Sequence, residues 1–436
     1  MNQNTDIKNL YIENFKNFEA KLNGGRNSQV HKIRQDAINK LNGLEFPITK
    51  WEEWKYTNIN PITSSYFNPD VKKKLLNKDE IAKFLFEDFN CNLLVFVNGY
   101  YSKELSRQNC KENSVILSNI ASVLNEKKEA FDLLGRLAVN NNIFTALNTA
   151  YLNDGAFIHI PKNLIVDEPI HLLFIADGEG EKSLIQPRNL VIAEPFSKST
   201  IVEHYVSLNE GVYFNNSVTE ILVQENAYVD HIKLQEESKK AFHIGRMEVA
   251  QEKSSNFSSH LISLGAEIAR NDFNTVFHDS HCESMLNGLF LIDGNQLFDA
   301  HTLIDHAKPY CNSHEHYKGI LDGKSRGVFN GKVIVRRDAQ KTNAFQENNN
   351  IILSQEALIN TKPQLEIFAD DVKCSHGATI GRLDEEAMFY LKSRGIGTEA
   401  ATAILIHAFA SDVIKSIKIN AIRNYLEDIL DKKFNQ

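Results

Sequence analysis

A cysteine and a histidine stand two positions apart near the end of the chain, in the sequence Cys374-Ser375-His376. In a β-strand, residues i and i+2 point to the same side, so the thiol and the imidazole would lie next to each other. A thiolate and a ring nitrogen are suitable ligands for iron, and a thiol can also receive sulfur. Because one cysteine and one histidine cannot complete a tetrahedral site, a purely structural pair is the alternative.

Possible metal ligands are also frequent between positions 278 and 316. They are His278, His281, Cys282, His301, His306, Cys311, His314 and His316. His314 and His316 would share one face of a strand, which is compatible with metal binding. The chain has 15 histidines, however, so local clusters also arise by chance. The segment is either a metal zone or an ordinary polar surface.

A glycine-rich segment, Gly319 to Ser325, resembles a phosphate-binding loop but has three residues between its glycines. That loop needs four, and it also needs a following helix whose amides point at the phosphate. We therefore expect a turn here and no nucleotide bound by this chain. The five cysteines form no C-x-x-C pair, which favours reduced thiols over a zinc ribbon or a complete ferredoxin ligand set.

The composition limits the class of protein. With 436 residues, 42% hydrophobic and 24% charged, the chain fits a soluble globular protein of more than one folded unit. Its net charge of −8 argues against nucleic acid as the main partner. The N-terminus has no apolar signal core, and no stretch approaches the ~20 apolar residues of a membrane span. We expect a cytoplasmic protein with protein partners and no membrane association.

The periodicity of apolar residues changes twice along the chain. Residues 1–152 favour an α-rich domain, as in the helical spacing of Tyr11, Phe15 and Phe18, with a small β element before Asn98-Gly99. Residues 153–383 contain short β-rich runs with turn signals roughly every ~15 residues, a pattern that favours a β-solenoid. Residues 384–436 return to helical periodicity.

The C-terminal helical segment has two possible roles. A solenoid needs caps at its ends, and the terminal helices could supply them. Ile404, Leu405, Phe409 and Val413 make the last part apolar over a wider arc than one packing face requires. The surplus is explained by core packing on the solenoid end or by a docking surface for another protein.

Several long motifs resemble the SufB/SufD family of iron–sulfur cluster assembly scaffolds. They are WEEWKYT at 51–57, KGILDGKSRGVFNGK at 318–332, DAQKTNA at 338–344, KPQLEI at 362–367 and ADDVKCSHGATIG at 369–381. The last motif resembles the SufD branch, because the SufB branch lacks the Cys-Ser-His. The resemblance covers nearly the whole chain.

The resemblance implies a mainly β protein, a right-handed parallel β-helix flanked by N- and C-terminal helical domains. It implies a scaffold and not an enzyme, paired with a SufB-like subunit and bound to a SufC-like ATPase through Leu405, Phe409 and Val413. The Fe–S cluster would be transient and shared with the partner subunit, with His376 as ligand and Cys374 as assisting thiol. A late strand within about 364–380 would pair with the partner, or with a second copy to form a homodimer when the chain is isolated.

Two other functions are compatible with a solenoid. A β-helix carbohydrate-active enzyme would carry several carboxylates in a cleft on one face and would release reducing ends from polysaccharides. A purely structural homodimer would form no cluster when supplied with iron and sulfide under anaerobic conditions.

Overall fold

The computed structural model describes residues 3–21, 29–110, 115–124 and 132–434. The helices are α1 (Gln3–Ala20), α2 (Gln29–Leu41), α3 (Asn60–Thr63), α4 (Lys78–Ala82), α5 (Ile120–Val123), α6 (Ile143–Ala150), α7 (Glu385–Ser393), α8 (Thr398–Ser416) and α9 (Asn420–Phe434). A short 3-10 helix spans Glu52–Trp54. Among the described residues no helix is both long enough and apolar enough to cross a bilayer.

The strands form two large sheets. Sheet 1 has the order β2 (Tyr100–Arg107), β1 (Asn92–Val97), β5 (Ile170–Ala176), β8 (Lys198–Ser207), β10 (Tyr228–Glu236), β12 (Asn256–Ser263), β14 (Glu283–Ile292), β16 (Asn312–Leu321), β18 (Asn343–Ile352) and β21 (Lys373–Gly381). Sheet 2 contains β3 (Ile116–Asn119), β4 (Ala156–Ile160), β6 (Ser183–Ile185), β7 (Arg188–Ala193), β9 (Tyr213–Val223), β11 (Phe242–Gln251), β13 (Ile268–Phe277), β15 (Leu297–His306), β17 (Arg326–Val335), β19 (Leu358–Thr361) and β20 (Gln364–Ile367).

The chain alternates between the two sheets, so that each coil adds one parallel strand to each sheet. Phe242 pairs with Ile268, 26 positions later, and Arg326 pairs with Leu358, 32 positions later. The predicted turn interval of ~15 residues is therefore half a coil, because each coil has two strands and two turns. The described residues form a β-solenoid of about 8 turns, which confirms the predicted fold class.

Apolar side chains from both sheets fill the space between them, here called the lumen. One corner of the solenoid repeats a left-handed residue at each turn. These residues are Phe196, Asn226, Ser254, His281, Tyr310 and Lys341. A left-handed backbone costs roughly 1–2 kcal/mol at a non-glycine residue. Hydrogen bonds between coils offset part of this cost, such as the one that Tyr310 N donates to Gln340 O at 2.9 Å.

The glycine-rich segment is a solenoid turn, as expected. Gly323 has a φ of +63°, and a Cβ there would lie 2.7 Å from Gly294 N in the coil before it. Lys324 N donates to Gly294 O at 2.7 Å, so the backbone amide is used to hold adjacent coils together.

The N-terminal region extends both sheets across the predicted boundary at residue 152. β1 and β2 form the expected antiparallel hairpin around Asn98 and Gly99, which both have positive φ. β1 also pairs in parallel with β5, and β3 pairs with β4. Helices α1, α2 and α6 cover the outer side of sheet 2, where Phe214 and Phe242 belong to their core. The division into three domains stays a prediction.

The C-terminal helices lie along the side of the solenoid. Asp384 caps α7, accepting hydrogen bonds from the backbone amides of Glu386 and Ala387. Helices α8 and α9 pack on the outer face of sheet 1, where Ile232, Ile262 and Leu289 share their core. The expectation that this helical pair closes the end of the solenoid is therefore wrong. The apolar residues of α8 and α9 pack against the long side of the solenoid. No residue of α7 is buried.

Candidate functional site

The predicted site residues lie on β21, the strand at one edge of sheet 1. β21 pairs along its length with β18, and the strand order places nothing described on its other side. Cys374 is in register with Ala344, and His376 is in register with Gln346. An unpaired edge presents free backbone amides and carbonyls, so β21 combines two ligand-type side chains with a surface ready for strand pairing.

Cys374 and His376 face the lumen of the last coil. Their register partners Ala344 and Gln346 are buried, and residues in register on adjacent parallel strands share a face. Cys374 is half-buried against the apolar lumen residues, whereas His376 is exposed. Both are more exposed than their register partners on β18, because no described coil lies beyond β21. The last coil is thus an open end of the lumen with a thiol and an imidazole at its rim.

Burial determines the protonation of the Cys374 thiol. Partial burial raises its pKa, and a backbone hydrogen bond with Ala344 opposes this only in part. The side chain is therefore a protonated thiol at neutral pH. It becomes a strong ligand when a metal or another acceptor displaces the proton.

The pair supplies two donors of the kind that iron accepts, a sulfur and a nitrogen. In the described part of the chain no group of three or more His, Cys, Asp and Glu side chains is arranged to hold a metal ion. Two donors are too few to complete a tetrahedral site by themselves.

A column of polar side chains lies below His376 inside the lumen. Gln346 is directly below it in register, and Glu315 is below Gln346 on β16. Gln346 Nε2 donates to Glu315 Oε2 at 2.6 Å. Burial raises the pKa of Glu315 to about 7. Motif reasoning did not find this column, although counting back one coil length from His376 leads to Gln346 and then to Glu315.

The last coil also exposes large apolar side chains around the pair. Phe368, the most exposed of these, shows 61% of its surface. The others are Leu358, Ile367 and Ile380. Exposed apolar residues next to an unpaired strand edge are typical of a protein interface.

The histidine-rich segment 278–316 does not form one site. His301 lies on the outer side of sheet 2, with Nε2 3.0 Å from Asp299 Oδ1, and this carboxylate helps to raise the pKa of His301 to about 9 against the opposing effect of burial. His306 lies in the lumen, with Nε2 2.9 Å from Ser313 Oγ. These histidines have structural partners on different faces of the solenoid.

The remaining residues of that segment do not join these histidines in one site, although the thiols of Cys282 and Cys311 are hydrogen-bonded to each other. Cys282 and Cys311 are buried at the turn corner in adjacent coils, and the described residues contain no disulfide. His314 lies on the outer face of sheet 1, stacked on Phe345 with ring centroids 5.3 Å apart. The predicted shared face of His314 and His316 is observed, since Glu315 between them points into the lumen.

The residues predicted to dock an ATPase differ in their exposure. Val413 is buried between α8 and the solenoid, while Leu405 and Phe409 are half-buried. Lys318 fixes Phe409 in place, because its Nζ donates to Phe409 O at 2.8 Å and lies 4.7 Å from the centre of the phenyl ring. Ile404 on the same helix is 44% exposed.

Helix α7 carries a more exposed apolar pair that the sequence reasoning did not single out. Phe389 is 74% exposed and Tyr390 is 56% exposed. The sequence places these two residues next to each other in a predicted helix. Only the fold shows that no residue of α7 is buried.

Comparison with known proteins gives two family matches that together cover most of the chain. Residues 174–409 match the SufBD core domain described under SUF system FeS cluster assembly. Residues 5–172 match the SufBD protein N-terminal region.

Individual relatives are similar over nearly their full lengths. An iron-sulfur cluster assembly SufBD family protein of Synechocystis is 34% identical over 94% of this chain and 92% of its own length. The iron-sulfur cluster assembly protein SufD of Escherichia coli is 31% identical, with 89% of each chain covered. The protein of the same name in Bacillus subtilis is 26% identical over 93% of this chain and 94% of its own length.

Proposed function

The chain belongs to the SufBD family of Fe–S cluster assembly proteins, and from this premise we propose that it is a SufD-type scaffold subunit of a SUF assembly complex. It acts in the cytoplasm, pairs with a SufB-like subunit and binds a SufC-like ATPase, which supplies the nucleotide hydrolysis. Its own role is to hold iron and the nascent cluster, and not to catalyse a reaction by itself. Family membership favours this function over a carbohydrate-active enzyme.

The observation that carries the proposal is the open last coil, where Cys374 and His376 share the rim of the lumen on an unpaired edge strand. The imidazole of His376 donates a nitrogen lone pair to iron. The Cys374 thiol assists by losing its proton to become a thiolate ligand or a sulfur acceptor. The partner subunit supplies the remaining ligands, and the cluster leaves as cargo.

Replacing His376 by alanine tests this role in cells that depend on the SUF pathway. We expect His376→Ala to fold and enter the complex normally but to lose cluster assembly, measured as the activity of Fe–S enzymes at equal protein levels. His314→Ala is the matched control, because it removes an imidazole from the outer face of a nearby strand. Normal cluster assembly by His376→Ala would remove this residue from the site.

The ATPase docks on the C-terminal helices in this proposal. Leu405 and Phe409 contribute contacts, together with Ile404, Phe389 and Tyr390, which are more exposed. Val413 supports the surface from beneath, because it is buried.

The double variant Leu405→Asp with Phe409→Asp, and separately Phe389→Asp, should weaken capture of the ATPase, because a carboxylate is costly to bury in an apolar interface. Leu75→Asp is the control, since Leu75 is an exposed apolar residue far from these helices in the sequence. Pull-down at wild-type affinity by both docking variants would place the interface elsewhere.

The β21 edge pairs with the equivalent strand of the SufB-like subunit, and with a second copy when the chain is isolated. The proposal is supported by the unpaired edge and by the exposed Phe368 and Ile380 beside it. Analytical ultracentrifugation at micromolar concentration should give a dimer, and Ile380→Asp should shift it towards monomer. A strictly monomeric wild-type chain contradicts this arrangement.

A further inference from the structure

Gln346 occupies the position between the candidate ligand and the closed part of the lumen. It is 2% exposed, and it is in register with Glu315 on one side and with His376 on the other. Adjacent strands are about 4.8 Å apart, so side chains in register on one face are within hydrogen-bond reach. Gln346 is thus the buried polar neighbour of His376 within sheet 1.

The orientation of the Gln346 amide is fixed from below. Its Nε2 donates to Glu315 Oε2 at 2.6 Å. The side chain reaches across to sheet 2, where a Cβ on Gly331 would lie 2.2 Å from Nε2. Above its pKa of about 7 Glu315 is a carboxylate, which only accepts hydrogen bonds, so it holds the NH2 end of the amide towards itself and leaves the carbonyl end free.

The carbonyl end lacks a donor. Within the described residues, Gln346 Oε1 is buried and accepts no hydrogen bond. An unsatisfied buried acceptor costs roughly 1–3 kcal/mol, so it is retained only where something compensates. His376 is the residue in register on the open side, and its imidazole can donate an N–H.

We propose that Gln346 is a positioning residue for His376, with Gln346 Oε1 accepting one imidazole N–H so that the other ring nitrogen is left free for iron. The hydrogen bond selects one tautomer and orients the ring at the rim of the lumen. Metal-binding histidines generally depend on such a partner for their second nitrogen. In this structure the acceptor has no donor among the described residues, and the hydrogen bond forms when the exposed His376 ring turns towards Gln346 Oε1. Only the identity of the bound metal rests on the proposed function, since this hydrogen bond needs no partner chain.

The hydrogen bond is tested by NMR on the full chain with 15N-labelled histidine at pH 8, where a neutral imidazole has a defined tautomer. His376→Ala identifies the relevant signals. In the wild type we expect one tautomer of His376 and an N–H proton protected from exchange with water. Gln346→Leu should give a mixture of tautomers and lose the protected proton, while Asn348→Leu, which removes another buried amide from the same strand, should retain both.

The wild-type spectrum alone can overturn the proposal, so the test survives a variant that does not fold. A mixed tautomer with a freely exchanging N–H in the wild type refutes the hydrogen bond. So does an unchanged spectrum in Gln346→Leu or, as a second variant of similar volume, Gln346→Met. The same spectral change in Asn348→Leu would show that losing any buried amide loosens the coil. This result would also refute the proposed hydrogen bond.

A second measurement separates this inference from the proposed function. Anaerobic titration with ferrous iron of the complex with its partner subunits should show about a 10–100-fold loss of affinity in Gln346→Leu. If His376→Ala leaves iron binding unchanged while the NMR result holds, the metal role fails and the positioning hydrogen bond stands. If His376→Ala abolishes binding and Gln346→Leu does not alter it, the positioning role is wrong and the metal role stands.

Discussion

Two groups of polar residues in the lumen of this solenoid differ in their surroundings. In the middle coils, Lys233 is fully enclosed, with Nζ 2.9 Å from His243 Nε2 and 2.7 Å from Asn271 Oδ1. Glu237 accepts from His243 Nδ1 at 2.6 Å, and Glu203 lies nearby with its pKa lowered to about 2, because His231 and Lys233 outweigh the effect of burial. Most of these polar groups pair with one another within the chain, although Asn271 Nδ2 has no hydrogen-bond partner among the described residues.

The last coil presents the opposite situation. Cys374 and His376 face the same lumen but sit at its open rim, and Gln346 beneath them keeps an unused acceptor. A polar group that is enclosed and paired gives specificity to the fold, whereas one that is aligned with an opening remains available for a ligand. Under the proposed function, position along the solenoid axis, and not residue type, separates the structural polar residues from the proposed ligands.

The largest expected effect comes from breaking the enclosed network. Lys233→Met should destabilise the protein by roughly 3–5 kcal/mol, because removing one partner leaves buried carboxylates without compensation. Urea denaturation of the purified chain measures this loss. Lys239→Met is the control, since this lysine is paired with Asp293 but largely exposed and should cost about 1 kcal/mol or less. A loss of under about 1 kcal/mol for Lys233→Met would show that the enclosed polar residues contribute no more to stability than exposed ones.

Glu315 lies between the two regions and should make stability depend on pH. Its pKa is raised from 4.5 to about 7 by burial, so between these values the folded chain keeps a proton that the unfolded chain has lost. Stability should therefore fall as pH rises from about 4.5 to about 7, by roughly 3 kcal/mol at most, and then level off.

Glu315→Gln should remove this pH dependence. The wild type should be less stable at pH 8 than at pH 5, and this difference should be smaller in the variant. Urea midpoints of both proteins at both pH values measure it. If the stability difference between variant and wild type is the same at pH 5 and at pH 8, Glu315 does not titrate in this range.

The smallest expected effect on stability is at the rim itself. His376→Ala should change the free energy of unfolding by about 1 kcal/mol or less, because the imidazole is exposed and loses at most one hydrogen bond, the one proposed to Gln346. The same urea denaturation measures it. A loss of several kcal/mol would place His376 among the structural polar residues and weaken the comparison.

The sequence by itself determined much of this protein. Period-two runs with turn signals indicated the solenoid, because strands and turns are dictated by local residue types. The spacing of Cys374 and His376 predicted their shared side for the same reason. The return to helical periodicity at residue 384 likewise located the start of the C-terminal helices, where Asp384 caps α7.

The tertiary structure alone decided which surfaces are covered. The apolar arc of α8 could not reveal that Val413 faces the solenoid and Ile404 faces solvent, because that depends on where the helix packs. The alignment of Glu315, Gln346 and His376 across three coils follows from coil lengths that vary between 26 residues, from Phe242 to Ile268, and 33 residues, from Phe157 to Leu190. Local patterns do not fix such lengths, since the register of parallel strands is set by side-chain packing between residues far apart in the chain.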